Sequence, residues 1–269
     1  MRQTNFHCHT ARCHHAYGQD ADFVKAAIQN GFKVLGFSDH TCWKYDSNFI
    51  SRIRMRVDEF SDYKASVLNL KKYYANQIEI RLGMEAEYFP KYMDWLLGFC
   101  IENEIDYLIL GNHYYESDEY RIYYGGAKGK YIQAYFDSCV AGMKTGMYAY
   151  LAHPELILRN TGGIITPEIE AGFHSICKTA KELDMPLEYN VLGMQLNLNM
   201  GYEEYPCDAF WKIAQQYHVK AIIGMDAHEA GDLDKKWYDL ALQKLSKYDV
   251  DIIDDIPKID YKKLYESKI

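Results

Sequence analysis

Short runs rich in Ile, Leu, Val and Tyr alternate with longer segments of helical pattern, and the alternation repeats seven times along the chain. The runs predict strands near Gln3–His7, Lys33–Asp39, Ile78–Glu85, Asp106–Asn112, Met147–His153, Pro186–Asn190 and Lys220–Asp226. Helices are predicted between and after them, over Asp20–Asn30, Arg52–Ala75, Pro90–Asn103, Lys130–Thr145, Pro167–Leu183, Pro206–Tyr217 and Lys235–Lys247. Pro90, Pro167 and Pro206 each suit a first helical turn, where a missing N–H has no intrahelical acceptor to lose. A long polar, glycine-bearing stretch at Tyr115–Lys128 is a candidate cover for a site.

Repeated strand–helix units predict a parallel sheet, either open or closed into a barrel. The polar residues favour the barrel. Six of the seven runs end in His, Asp, Glu or a His-containing turn, as expected when all C-terminal strand ends line one pocket. An open sheet would gather ligands mainly at one switch-point crevice. The expected fold is therefore α/β, a distorted (β/α)7 TIM-like barrel with its site at the C-terminal ends of the strands. The 269 residues contain no linker-like stretch, so a single domain over 1–269 is expected.

Those strand ends carry the candidate chemistry. His7 and His9 are two apart, so in an extended strand they face one side while Cys8 faces the other; His15 follows six residues later. The second strand ends in Ser38-Asp39-His40, and the third offers Glu85 and Glu87, which spacing alone does not rank. His113 closes the fourth run, His153 the fifth, and Asp226 and His228 the seventh. Each motif alone has a bland reading: a buried histidine pair, a surface turn or a solvated acidic strand end. Their co-occurrence decides the matter. Of ten histidines, only His14, His174 and His218 lie away from these ends, and converging His and carboxylate groups call for a divalent cation.

Composition narrows the classes further. A formal net charge of −8 lacks the basic footprint of nucleic-acid binding, and no run is long enough for a signal peptide or a membrane span. Seven cysteines without CxxC spacing point to reduced thiols and a cytoplasmic setting. Cys8 and Cys13 would lie near the cluster. No GxSxG elbow, Walker A loop or GxGxxG is present. No motif speaks to the oligomeric state.

Taken in order, His7-Cys8-His9, His15-Ala16-Tyr17, Ser38-Asp39-His40, Gly83 to Pro90 (GMEAEYFP), Gly111-Asn112-His113, Ala152-His153-Pro154-Glu155 and Gly224 to His228 (GMDAH) resemble the polymerase and histidinol phosphatase (PHP) superfamily. The stretch from Arg54-Met55 to Tyr63 and Glu87-Tyr88-Phe89-Pro90 are similar to its histidinol-phosphate phosphatase branch.

The resemblance implies up to three divalent ions, zinc, manganese or iron. His7, His9, Glu85 and Asp226 would hold one, Glu85, His113 and His153 a second, and His15, His40 and His228 a third. It selects Glu85 as the bridge and makes Asp39 an outer partner or proton carrier, with Asp39, Asp226 and His228 as the catalytic candidates. It also implies hydrolysis of a small phosphate monoester, L-histidinol phosphate first, through attack on phosphorus by a hydroxide held between two metals.

One departure concerns the phosphate. The segment after the sixth strand, Asn190–Asn197, has no Arg or Lys where that branch presents a basic residue, which leaves Arg159 and Arg54 as candidate phosphate contacts. Two other functions compete: an amidohydrolase barrel, whose bridge is commonly a modified lysine, and a non-catalytic metal-binding module. No nucleic-acid or membrane partner is expected.

Overall fold

The computed structural model describes residues 1–267. Each of the seven expected runs becomes a parallel strand: β1 (Thr4–Asn5), β2 (Val34–Phe37), β3 (Glu79–Ala86), β4 (Tyr107–Leu110), β5 (Tyr150–Leu151), β6 (Leu187–Asn190) and β7 (Lys220–Gly224). An eighth, β8 (Asp251–Ile252), was not expected, because two residues give no readable pattern. All eight lie in sequential order in one curled sheet.

The two ends of the curl differ. Where β7 begins, Lys220 and Ala221 pair with Asp251 and Ile252 of β8. Beyond the end of β7, Ala227 instead bridges to Cys8. The Ala227 N–H donates to His7 O at 3.2 Å and the His9 N–H donates to Ala227 O at 2.8 Å. The first and seventh units are thus joined directly where their histidines lie.

Around the sheet lie α1 (Asp20–Gln29), α2 (Phe60–Tyr73), α3 (Met93–Asn103), α4 (Lys130–Lys144), α5 (Pro167–Leu183), α6 (Val191–Met200), α7 (Asp208–Ala214), α8 (Lys235–Leu245) and α9 (Tyr261–Glu266). In α5 the buried Ile169, Phe173, Ile176, Cys177 and Ala180 form one stripe at helical spacing, and the Thr166 side chain accepts the Ile169 N–H at its start.

Three expectations need correction. The helix expected from Arg52 begins at Phe60, after a short 3-10 turn at Val57–Glu59, because Arg54 is drawn into the interior instead of facing outward along a helix. The helix expected from Pro206 begins at Asp208, so Pro206 precedes it. Helix α6 was missed because Leu192, Met194, Leu196, Leu198 and Met200 alternate at period two and imitate an extended segment.

Most apolar side chains pack between sheet and helices, while Phe6, Val34, Tyr107, Ile109, Tyr150 and Ile222 form a smaller cluster of their own. Tyr107 organises that cluster. Its hydroxyl donates to Phe6 O at 2.8 Å, and its side chain lies so close to β2 and β3 that a Cβ on Gly36 would come within 2.1 Å of the hydroxyl and one on Gly83 within 2.5 Å of the ring. Arg81, stacked 5.1 Å from the Phe6 ring, donates to Ile256 O at 2.7 Å and ties the strands to the C-terminal segment. All seven cysteines are buried and unpaired, and among the described residues no helix is long and apolar enough to cross a membrane.

Gly83→Ala should therefore destabilise the fold by about 1–3 kcal/mol, as overpacking of a filled interior does, measured as a lower urea midpoint at unchanged slope. An unchanged midpoint would mean that Tyr107 does not fill the space as described.

Candidate metal centre

The site begins with the alternation of an extended chain. His7 and His9 follow β1 with their rings in the cluster, whereas Cys8 packs into the hydrophobic core, as period two requires. His40 follows β2 and bridges to Glu85 near the end of β3. His113, His153 and Asp226 follow β4, β5 and β7. His153 and Asp226 have φ of 28° and 51°, a left-handed conformation that L residues rarely adopt and that recurs at functional positions.

Glu85 stands at the centre and is 1% exposed. Its Oε2 lies 3.5 Å from both His7 Nε2 and His9 Nε2 and 3.0 Å from His40 Nδ1. Its Oε1 lies 2.9 Å from His153 Nε2 and 3.4 Å from His113 Nε2. One carboxylate thus presents its two oxygens to two sets of imidazoles. Asp226 Oδ1 closes the first set, 3.3 Å from both His7 Nε2 and His9 Nε2.

Two glycines in the motifs make room for this. A Cβ on Gly111 would fall 1.8 Å from Glu85 Oε1, and one on Gly224 would fall 1.8 Å from Glu188 Oε1.

The remaining predicted ligands complete a ring of histidines. The His15 ring lies 5.4 Å from that of His40 and 4.8 Å from that of His228. The donor groupings follow the sets expected by resemblance only in part: His7 and His9 converge with Glu85, whereas His40 converges with Glu85 and His113, and His228 with His9 and Cys13. His14 is exposed, His174 pairs with the Tyr217 hydroxyl, and His218 pairs with Asp249.

Electrostatics follow from burying so many ionisable groups together. Burial alone would raise Glu85, but His113, His40 and His7 hold it well below the usual carboxylate range. Asp226 is likewise lowered against its burial, by His7, His9 and His228. Burial would depress His9, yet Asp226, Asp39 and Glu85 raise it to about 9. Burial and the nearby His9 push His228 down to about 4. The cluster therefore sets carboxylates held ionised beside one imidazole that favours its protonated form, His9, and one held neutral, His228.

The donor set fits divalent cations. His7 Nε2, His9 Nδ1, His40 Nδ1 and Glu85 Oε2 are buried and make no hydrogen bond, a costly arrangement that cations would relieve. Imidazole and carboxylate together suit zinc, manganese or iron.

Glu188 was not anticipated from the sequence. Fully buried on β6, its Oε1 meets His7 Nδ1 at 2.8 Å, while its Oε2 accepts the His153 N–H at 3.0 Å and the Asn190 amide at 2.9 Å. Asn190 also donates to Asp226 Oδ2 at 3.1 Å. The signal was the period-two pair Glu188 and Asn190 on the sixth strand, inside a run read only for its apolar residues.

Three candidates lie away from the opening, Asp39 and Glu87 behind imidazoles as outer partners and Arg54, expected at the substrate phosphate, in the interior. Asp39 does not line the opening; it accepts the Thr10 N–H and hydroxyl and sits 3.7 Å from His9 Nδ1, behind that ring. Arg54 is 1% exposed, with its guanidinium taken up by Glu87 and Asp118. Glu87 lies behind His113, 3.2 Å from its Nδ1.

The cluster opens into a cleft of about 500 Å³. Tyr114, Tyr123, Tyr205, Ile53, Leu156 and Leu192 line its other walls, so the Tyr115–Lys128 loop contributes a wall. Arg159 and Asn160 also line it. Arg159 donates to the Tyr123 hydroxyl at 3.1 Å and has no carboxylate partner among the described residues.

Glu188→Gln, by removing the anion behind His7, should weaken divalent-ion binding by about 10- to 100-fold, measured by competition with a chromophoric chelator. Unchanged affinity would assign Glu188 to packing alone.

Known proteins resemble this chain over most of its length. It is 25% identical over 245 residues to a Deinococcus radiodurans protein named "Probable histidinol-phosphatase", covering 87% of this chain and 89% of that one. It is 24% identical over 259 residues to the histidinol-phosphatase of Bacillus subtilis, covering 87% and 96%. A solved structure, histidinol phosphate phosphatase from Lactococcus lactis in complex with zinc, L-histidinol and phosphate, superposes with a TM-score of 0.71 at 14% identity over 96% of this chain and 99% of that one. The PHP domain model matches residues 5–192, a span that contains Glu85 and all the predicted ligands except Asp226 and His228, and the chain belongs to that family.

Proposed function

We propose that this chain is a metal-dependent phosphomonoesterase acting on a small phosphorylated metabolite, with L-histidinol phosphate the leading substrate. The observation that carries the reading is the Glu85 carboxylate, whose two oxygens face separate imidazole sets at the floor of an open cleft. The relatives' names and the ligands of the Lactococcus lactis structure support the same substrate class. Among the described residues no lysine lines the cleft, which weighs against an amidohydrolase-type centre with a modified-lysine bridge. The proposal takes residues 1–269 as one domain, a barrel of seven strand–helix units closed by the Cys8–Ala227 bridge with β8 as an addition.

His7, His9, Glu85 and Asp226 would hold one ion and Glu85, His113 and His153 another, with His15, His40 and His228 available to a third. Bound divalent cations supply Lewis acidity toward phosphate oxygens and make hydroxide available near neutral pH.

The chain does the rest. Glu188, Glu87 and Asp39, behind His7, His113 and His9, fix how those rings point. Arg159, the cleft's cation without an ion-pair partner, binds a phosphate oxygen and holds the ester in line. The tyrosine and aliphatic walls receive the leaving group and exclude water from it. Asp226 and His228 face the cleft and are the residues placed to act on the reacting atoms, whereas Asp39 acts through His9.

Steady-state hydrolysis of L-histidinol phosphate beside other phosphomonoesters and a phosphodiester, with metal-quantified protein, tests this. Preference for L-histidinol phosphate, lost in Asp226→Asn, is expected; activity confined to another monoester would keep the chemistry and reject that substrate, and no activity with metals bound would overturn the enzyme reading. Arg159→Met should raise KM at least as much as it lowers kcat, by about 10-fold or more for a lost charge-assisted contact of roughly 1.5–3 kcal/mol.

A further inference from the structure

Beyond the hold of Glu87 on His113, the buried ion network behind that ring has no role assigned so far. Glu87 is wholly buried and sits against His113 Nδ1 at 3.2 Å. Arg54 grips it with two N–H groups, Nη2 to Oε1 at 2.7 Å and Nη1 to Oε2 at 3.0 Å, while Trp43 Nε1 donates to Oε2 at 2.9 Å. The same guanidinium reaches the other way. Its Nε donates to Asp118 Oδ2 at 3.2 Å, and Asp118 also accepts the Tyr45 hydroxyl at 2.6 Å and the Ser51 hydroxyl at 2.8 Å.

Asp118 lies at the far end of a narrow loop that starts at His113. The loop folds back on itself: Tyr114 bridges to Tyr123, the Tyr115 N–H donates to Ile122 O at 2.9 Å, and the Tyr124 N–H donates to His113 O at 2.8 Å. The base of this loop therefore carries a metal-ligand candidate and two cleft-lining tyrosines, and its tip is pinned by an arginine that also holds the carboxylate behind that ligand. Three buried charges in a row are costly to desolvate, and removing one strands the others, so the network is rigid when complete.

We propose that Arg54 is a positioning residue that makes divalent-ion binding at His113 and ordering of the 113–124 loop a single coupled event, so that the cleft wall forms where the metal is held. The proposal rests on the metal-centre reading above. Orienting His113 through Glu87 presents Nε2 toward Glu85 Oε1, 3.4 Å away, and holding Asp118 keeps Tyr114 and Tyr123 against the cleft. Because linkage is reciprocal, an ion bound at His113 must steady the loop by as much as the ordered loop favours the ion. Arg54 is thereby set apart from Arg159, which faces the cleft.

The test uses the full chain, Zn(II) as the probe, and two mild variants. Arg54→Lys keeps the charge but loses the planar fork, and Asp118→Asn keeps the shape but loses the charge at the loop tip. Imidazole nitrogen resonances follow Zn(II) at His113 and at the other rings separately, and amide hydrogen exchange follows residues 114–123. In the wild type, Zn(II) should slow exchange across the loop. Arg54→Lys should weaken Zn(II) at His113 by about 10-fold while sparing the His7 and His9 signals. Asp118→Asn should abolish the Zn(II)-dependent slowing.

Equal weakening at every histidine, or none at His113, would overturn the coupling and leave Arg54 a structural residue. Zn(II)-dependent slowing retained in Asp118→Asn would also overturn it. A wild type that binds no Zn(II) would overturn the metal-centre reading and this proposal with it, whereas a wild type that binds Zn(II) without slowing its loop would overturn the coupling alone.

Discussion

A carboxylate buried among five imidazoles is the constraint on which the rest of this structure depends. Glu85 is almost wholly withdrawn from water, and its oxygens are met by His7, His9, His40, His113 and His153 from four different strand ends. Such a group is tolerable only if positive charge surrounds it, and the positive charge must come from protons or from cations. Much of the local architecture serves that demand. Gly111 leaves the space Glu85 occupies, the backbones of His153 and Asp226 accept unfavourable dihedrals, and the Cys8–Ala227 bridge brings the first and last histidine-bearing ends together.

Behind the central carboxylate stands a second set of acids, one to a histidine. Glu188 backs His7, Glu87 backs His113 and Asp39 backs His9. Each acid has its own anchor: Asn190 and the His153 N–H for Glu188, Arg54 and Trp43 for Glu87, and Thr10 for Asp39. An imidazole held this way has its tautomer and tilt decided in advance, which spares the ordering cost when an ion binds. The cleft above is built differently, from tyrosines, aliphatic side chains and Arg159, with no free carboxylate outside the metal cluster. Tight polar order below and a mostly uncharged wall above suit an anionic head group with a variable leaving group.

The parts of this design that repeat with a period were legible in the sequence. Seven strands, the inward face of His7 and His9, and the gathering of histidines at strand ends all follow from alternation along short apolar runs. Choosing Glu85 over Glu87 did not follow from spacing, since both occupy one face; the resemblance made that choice, and the structure shows Glu85 inside the ring and Glu87 behind it. Glu188 escaped because its neighbours Leu187 and Tyr189 made the run look like plain core. Arg54 was misplaced for a related reason: an arginine in a helical-looking stretch reads as a surface cation, and only long-range partners 33 and 64 residues away reveal that it is buried. Helix α6 and strand β8 lacked the stripe or the length that periodicity needs.

Equilibrium dialysis against Zn(II) with elemental analysis, comparing wild type with Glu85→Gln, addresses the central claim most directly. The amide keeps the shape of the side chain but removes the anion that both imidazole sets face. The account predicts at least two ions per chain in the wild type and loss of tight binding at both sets together in the variant, with the fold retained by circular dichroism. A Glu85→Gln protein that keeps its full complement of ions would contradict the bridging role on which the whole reading stands.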